Sequence, residues 1–516
     1  RRRVFELKYL GHAGWLIKNN KFKIVCDPWF SPQGAFLSSW FPFPRNDHML
    51  IGDLFDDLDF IYISHAHEDH FDKWTLQHAK RTTPVIIPRF DDRTLYNNLK
   101  KLDFEDVREL SRNEHIISNN IRMKIIEDED FFDNDSCLLL DDGESKVLNL
   151  NDCHIAFEEI KNLVGEVDLL LLQSSSANWW PCAYDYDSAS MKDNCRIKKN
   201  NILKRTLQYS RALNAKNVIP NAGPPIFLDP QADLWNYNRE NSNPFIRMDA
   251  SVDFLNSENI SSSLVIPGST IRLFKSEMIV DTDDRERSLI YDNYEEYLAS
   301  YKSHLRENVE MPIVTEDEIS QLISKFSSQI KNIKKVSKFY IDKVQFPILF
   351  DFKDLGKWIV DFTKEECFFR YKNEEYNYFF IMDPKSVCLL FREKSIDFER
   401  YFLSLNFQSH REIDAYNEHL FAILKNFDTK RFIASEKIYA KKNDVASEMF
   451  ELTCNEGRKL SVRRYCPHKM VDLKKNGFIN DNNELVCPLH AWRFDLGTGE
   501  CINHSGVENI LGETEK

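Results

Sequence analysis

The sequence predicts a mixed α/β protein in three parts, and three observations carry the prediction. From Phe5 to about Leu170, short apolar runs alternate with polar turns and occasional helical stretches, which is the pattern of strands with interleaved helices. From about 285 to 425 the chain becomes more helical and more charged, an α+β region. From about Phe427 it returns to short strands and ends in a cluster of Cys and His, a small all-β domain. A chain of 516 residues is too long for one core, and the divisions fall at 1–290, 291–426 and 427–516.

Taken in order, "WLIKNNKFKIVCDPW", "IYIS", "PVIIP", "IRMKII", "SCLLL" and "KVLNLN" read as strands. "CRIKKNNILKRTLQYSRALNA" (195–215) is rich in helix formers and precedes the strand-like "KNVIPNAGPP". In the middle region "EDEISQLISKFSSQIKNIKKVSKFY" and "EIDAYNEHLFAILKNF" read as amphipathic helices. There is no internal repeat and no low-complexity tract.

Composition removes several classes of function. No stretch approaches the roughly 20 apolar residues of a membrane helix, so no membrane is expected. A net charge of -14 argues against a general nucleic-acid binder, whose affinity rests on Lys and Arg against phosphate. Eleven cysteines without a framework spacing suggest reduced thiols and metal ligands rather than disulfides. With no long apolar segment after the basic start, the expected compartment is cytoplasmic.

Two constellations carry chemistry. "SHAHEDH" (64–70) packs His65, His67, Asp69 and His70 directly after an apolar run. The alternation His65-Ala66-His67 lets two imidazoles point the same way, and Asp69 and His70 lie on the turn that follows. One loop can thus feed two neighbouring ions with nitrogen and oxygen donors. Near the C-terminus, Cys466-x-His468 is followed after eighteen residues by Cys487-x-x-His490. Two cysteines on one iron and two histidines on the other form the Rieske [2Fe-2S] arrangement. Neither loop carries the extra cysteine pair of respiratory-chain Rieske proteins, and in this the loops resemble the lower-potential ferredoxin type.

The H-x-H-x-D-H stretch and "YLGHAGWLIKNNKFKIVCDPW" resemble the metallo-β-lactamase superfamily over roughly residues 5 to 290. The resemblance implies a four-layer αββα sandwich with a dinuclear metal site at the sheet edges, and a bridging carboxylate, here Asp152. The usual third histidine is missing. "IRMKIIEDEDFFDNDSC" offers Asp128, Glu129, Asp130 and Asp133 instead, which spacing does not separate. The usual last histidine is replaced in position by Asp229, which an Asp-Pro turn also explains, and His12 of "GHAGW" is a supporting candidate. More carboxylates and fewer imidazoles favour dinuclear non-haem Fe over Zn.

A one-electron carrier has no task on a hydrolase, whereas O2 activation consumes electrons. The middle-region histidines His304, His410 and His419 lack ligand spacing, and no D-x-x-H-x-x-x-x-H pattern for a mononuclear iron is present, so the oxygen chemistry falls to "SHAHEDH". The pairing resembles the CMP-N-acetylneuraminate hydroxylases through "DNDSCLLLDDGESKVLNLNDC", "IPNAGPPIFLDP", "SLNFQSHREIDAYNEHLF" and the Rieske loops, but there the Rieske domain is N-terminal. It also resembles the diiron β-hydroxylases of natural-product assembly lines. The function implied is a Rieske-type non-haem diiron monooxygenase, hydroxylating or N-oxygenating a small polar substrate with O2. The expected electron donor is an external reductase, a ferredoxin or a cytochrome b5-type protein; an oligomer is compatible with this reading. The rival is a metal-dependent hydrolase with a redox-sensing cluster. The loop "QSSSANWWPCAY" (173–184) is expected to line the pocket.

Overall fold

The computed structural model describes residues 3–129, 134–237, 243–393, 395–442 and 448–512. These fall into two compact units, one of residues up to 129, 134–177 and 192–311, the other of residues 178–191 and those from 312 onward.

The first unit is built on two sheets. The larger runs in the order Glu277–Asp281, Thr270–Phe274, Phe5–Gly11, Gly14–Asn19, Phe22–Cys26, Phe60–Tyr62, Val85–Pro88 and Val107–Leu110. The strands up to Phe22–Cys26 pair antiparallel; the last three join in parallel. The smaller sheet runs Asn217–Asn221, Leu169–Gln173, Lys146–Asn151, Asn134–Asp141, Ile121–Glu129 and Ile116–Ser118. Central parallel strands must be apolar on both faces, and "VIIP" and "LLLLQ" are buried at every position. The antiparallel strand Phe5–Gly11 instead exposes Glu6 while Phe5, Leu7 and Tyr9 turn inward.

The inward residues of both sheets meet in one core, in which Leu7, Trp15, Ile17 and Ile24 face Met123, Ile125, Leu138, Val147 and Leu171. Each such fully buried large side chain contributes about 1.5–3 kcal/mol. The outer face of the larger sheet packs Val25, Ile61, Val85 and Ile87 on Leu76, Leu95 and Leu99, from the helices Lys73–Leu76 and Thr94–Lys101. Against the smaller sheet lie the helices Phe157–Val164 and Ser188–Ala212, joined by the Phe157 and Tyr209 rings at 4.7 Å. The result is the αββα sandwich. The helix expected at 195–215 starts earlier, at Ser188.

The second unit holds a five-stranded sheet in the order Phe368–Arg370, Lys357–Val360, Ile348–Asp351, Tyr378–Met382 and Phe407–Arg411. The helix Glu316–Val336 is fixed at its start by a capping box between Thr315 and Glu318. It buries Phe326 among Phe350, Phe352, Phe368, Phe398 and Phe427. The amphipathic helix expected over "EIDAYNEHLFAILKNF" is shorter, Glu418–Lys425, and all of its residues are buried. Tertiary packing on both sides removes the polar face that the sequence suggested. The short strands expected from Phe427 begin later, because Thr429–Lys442 is a helix. Then come the hairpin Met449–Thr453 with Lys459–Arg463 and the three-stranded sheet Phe478–Ile479, Glu484–Val486 and Arg493–Asp495.

Candidate metal centres

In the first unit, "SHAHEDH" leaves the end of the strand Phe60–Tyr62, and Asp27 leaves the neighbouring strand Phe22–Cys26. Asp27 is fully buried and is the hub of the local network. Its Oδ1 accepts the Ser64 N–H at 2.8 Å, and its Oδ2 accepts the Ser64 hydroxyl at 2.6 Å and the Asn151 amide at 2.5 Å. The same carboxylate lies 2.9 Å from Nδ1 of His70. A carboxylate here can only accept, so the imidazole proton sits on Nδ1 and the Nε2 lone pair is left for an ion.

Nε2 of His70 faces Asp152 Oδ1 at 3.2 Å and Asp69 Oδ2 at 3.5 Å. His70 Nε2, Asp152 Oδ1 and Asp69 Oδ1 are all buried without a hydrogen-bond partner. Orphaned polar atoms converging in this way cost several kcal/mol unless something of positive charge joins them. The electrostatics agree. Burial pushes His70 down, yet the carboxylates of Asp152 and Asp69 overcome it and raise it well above the usual imidazole range. Burial likewise pushes Asp69 up, but His70 and His12 hold it down to about 2. His12 Nε2 meets Asp69 Oδ2 at 2.8 Å.

His65 Nε2 and His67 Nδ1 stand 3.0 Å apart, a separation that suits two donors converging on one ion as well as a hydrogen bond. The other side of the His65 ring, Nδ1, meets Ser64 Oγ at 2.9 Å and Asp135 Oδ1 at 3.2 Å. Two overlapping groups of metal-ligand type result among the described residues: His65, His70 and Asp152, and His12, Asp69 and His70.

The sequence-derived residues thus divide. His65, His67, Asp69, His70 and Asp152 are brought together. Asp128 lies directly across the hairpin from Asp135, on the same face, and it is Asp135 that reaches His65. Asp130 and Asp133 lie outside the described residues, and Glu129 accepts the Asp91 N–H at 2.6 Å. Asp229 belongs to neither group; its Oδ1 accepts the Gln231 N–H at 2.8 Å, the turn that its Asp-Pro sequence favours. Sequence reasoning missed Asp27 and Asp135. A signal existed for Asp27, an acid directly after an apolar strand and before Pro; Asp135 lies two residues beyond the 128–133 run. The loop 173–184 also divides. Ser174, Ser175 and Ser176 are buried in the first unit, whereas Trp179 packs on Phe402 and Phe421 of the second, at 5.2 and 5.3 Å.

In the second unit the two Cys and His loops repeat one backbone design. Cys466 N–H bonds to the Val471 carbonyl and Met470 N–H returns to Cys466; Cys487 N–H bonds to Trp492 and Ala491 N–H returns to Cys487. Met470 and Ala491 take the same left-handed conformation, φ 58° and 60°. Cys466 and Cys487 are both buried and free of disulfides. Burial, with Cys487 beside it, pushes the Cys466 thiol far up, so its thiolate needs a cation. The His468 and His490 rings lie 4.7 Å apart. Paired thiols and paired imidazoles on matching loops fit a [2Fe-2S] cluster.

Comparison with known proteins agrees with both halves. Residues 433–510 match the Rieske [2Fe-2S] domain family, residues 6–194 the beta-lactamase superfamily domain, and residues 322–441 the Rv3818-like, SCP2-like domain. The chain is 28% identical to Rv3818, a Mycobacterium tuberculosis protein named for a Rieske 2Fe-2S iron-sulfur centre, over 97% of this chain and 98% of that one. It is 28% identical to the cytidine monophosphate-N-acetylneuraminic acid hydroxylase of Danio rerio, over 28% of this chain and 25% of that one. Among solved structures, CmlA, a diiron beta-hydroxylase from Streptomyces venezuelae, aligns with 18% identity and a TM-score of 0.36, over 53% of this chain and 54% of that chain. The chain therefore joins a metallo-β-lactamase-fold N-terminal domain to a C-terminal Rieske domain. No described helix is long and apolar enough to cross a membrane.

Proposed function

We propose that this protein is an O2-dependent non-haem diiron monooxygenase that draws electrons through its own Rieske cluster. The observation that carries the reading is the presence, in one chain, of a Rieske domain and a buried, carboxylate-rich site whose open donor atoms call for cations. A cluster that carries single electrons suits chemistry that consumes them, and hydrolysis consumes none. Mixed imidazole and carboxylate donors suit iron.

Cys466 and Cys487 would hold one iron of the cluster and His468 and His490 the other. In the first unit, His65 and His67 would hold one ion and Asp69 and His70 the second, with Asp152 offered to both. Of the hairpin acids, Asp135 acts through His65 Nδ1, and Asp128 faces it across the hairpin. When bound, the two iron ions supply the place where O2 is reduced. The chain's own residues do the rest. Asp27 holds the proton on His70 Nδ1, Ser64 and Asp135 hold His65 by its Nδ1, and His12 fixes one oxygen of Asp69. The substrate is a small polar molecule, hydroxylated or N-oxygenated; the electrons come from an external reductase, a ferredoxin or a cytochrome b5-type donor.

Metal analysis and Mössbauer spectroscopy of protein purified without oxygen test the reading. About four irons per chain, two of them in the cluster, are expected. Two irons with two zincs would replace the oxygenase by a hydrolase with a redox-sensing domain.

A further inference from the structure

His468 is held on two sides: its Nε2 lies 3.2 Å from Glu418 Oε1, both side chains being about one-tenth exposed, and its ring stacks on Trp492 at 4.6 Å with the planes 7° apart. Trp492 in turn stacks on His504 at 4.3 Å. Glu418 does not come from the Rieske loops. It is the first residue of the helix Glu418–Lys425, which follows the middle region's sheet.

Its seat is built rather than incidental. The segment before the helix pairs in parallel with the stretch around His504: Tyr416 N–H bonds to the Asn503 carbonyl and Ser505 N–H to the Tyr416 carbonyl, both at 2.9 Å. Asn417 caps the helix by accepting the Leu420 N–H, and its amide donates to Ser505 Oγ at 3.0 Å. Asn503 passes the link to the second cluster loop, accepting the Arg493 N–H at 2.9 Å and donating to the Ala491 carbonyl at 2.9 Å. A continuous hydrogen-bonded track thus fixes the Glu418 carboxylate relative to the cluster loops.

We propose that Glu418 is a positioning residue for the cluster, accepting the Nε2–H of His468 and lowering the cluster's reduction potential. The proposal rests on the Rieske reading. An imidazole that binds iron through one nitrogen presents N–H at the other, and a carboxylate accepting it strengthens the ligand as a donor. Negative charge close to the cluster also favours its oxidised, more positive state. Through Glu418 the middle region sets how strongly the Rieske domain holds an electron.

The test is a redox titration of the full-length, cluster-loaded protein at one pH, followed by the EPR signal of the reduced cluster. Glu418→Gln keeps shape and an acceptor oxygen but loses the charge. The expected result is an unchanged [2Fe-2S] spectrum with a higher midpoint, the reduced state favoured about tenfold, which is 59 mV for one electron. Glu418→Asp, which withdraws the charge by one methylene, should shift the same way by less. An unchanged midpoint in a loaded Glu418→Gln protein overturns the proposal. Should that variant fail to take up the cluster, Glu418→Asp decides by the same reading, a raised midpoint supporting the proposal and an unchanged one overturning it. Absence of a [2Fe-2S] signal from the unaltered protein would instead remove the Rieske reading itself.

Discussion

The two metal centres differ in how far along the chain their residues are gathered. The proposed Rieske ligands sit on two short loops, each closed by the same pair of backbone hydrogen bonds and the same left-handed residue. The other centre draws on His12, Asp27, the stretch from Ser64 to His70, Asp135 and Asp152, carried by both sheets. A local turn positions ligands by its own dihedral angles. A site spread over two sheets is positioned by strand register and by the buried polar partners that tie one strand end to the next. The first design should tolerate change elsewhere in the chain; the second should respond to residues that never touch an ion.

The largest expected effects separate the two centres outright. Cys466→Ser should remove the cluster and reduce turnover with external reductant to background, with the metals of the first unit retained. Asp152→Asn should do the reverse, releasing at least one non-cluster metal and ending product formation while the visible Rieske spectrum persists. Metal content and spectra of both variants check this; a variant that empties both centres would break the comparison.

Acid should also act unequally. Burial depresses His419 in the second unit to about 4. Because its folded value lies below its unfolded one, the unfolded chain binds the extra proton, and stability falls as the pH drops below about 6.5. Down to pH 4 the loss is about 3 kcal/mol for a fully coupled group. Denaturant titrations at pH 7 and pH 4 measure it, and His419→Phe, packed by Tyr340 and Tyr439, should lose that part of the pH dependence. His70 behaves oppositely in metal-free protein: its raised value stabilises at low pH and is lost as the pH climbs.

Asp27→Asn should weaken metal binding about 10–100-fold, the usual cost of removing a carboxylate behind a ligating histidine. Competition with a chelator reads it directly, and unchanged affinity would mean that Asp27 only braces the loop. Of the two hairpin acids, Asp135→Asn should lower metal affinity more than Asp128→Asn, since Asp135 is the one at His65. Asp229→Asn should have the smallest effect, leaving metal content unchanged because Asn can still accept the Gln231 N–H.

How much was legible follows the same contrast. Cys466, His468, Cys487 and His490 could be singled out as candidates because each Cys and His pair lies within a few residues of one loop. His65, His67, Asp69 and His70 were legible for the same reason. Asp152 came only through family resemblance. Asp27 and Asp135 were not read, because their roles arise where strands distant in sequence end side by side. One buried helix also misled: an apolar face is visible in sequence, but whether the opposite face meets water is not, so Glu418–Lys425 looked amphipathic.

The sequence by itself determined the kinds of element, the apolar strands that must be buried, and the donor side chains grouped within one short loop. Only the tertiary structure decided which acid meets His65, that Asp27 holds His70, and that Glu418 meets His468. These are contacts between groups separated by tens of residues, fixed by register and helix docking. Local spacing carries no record of them, since the energy that selects them is released only when the sheets and loops have packed.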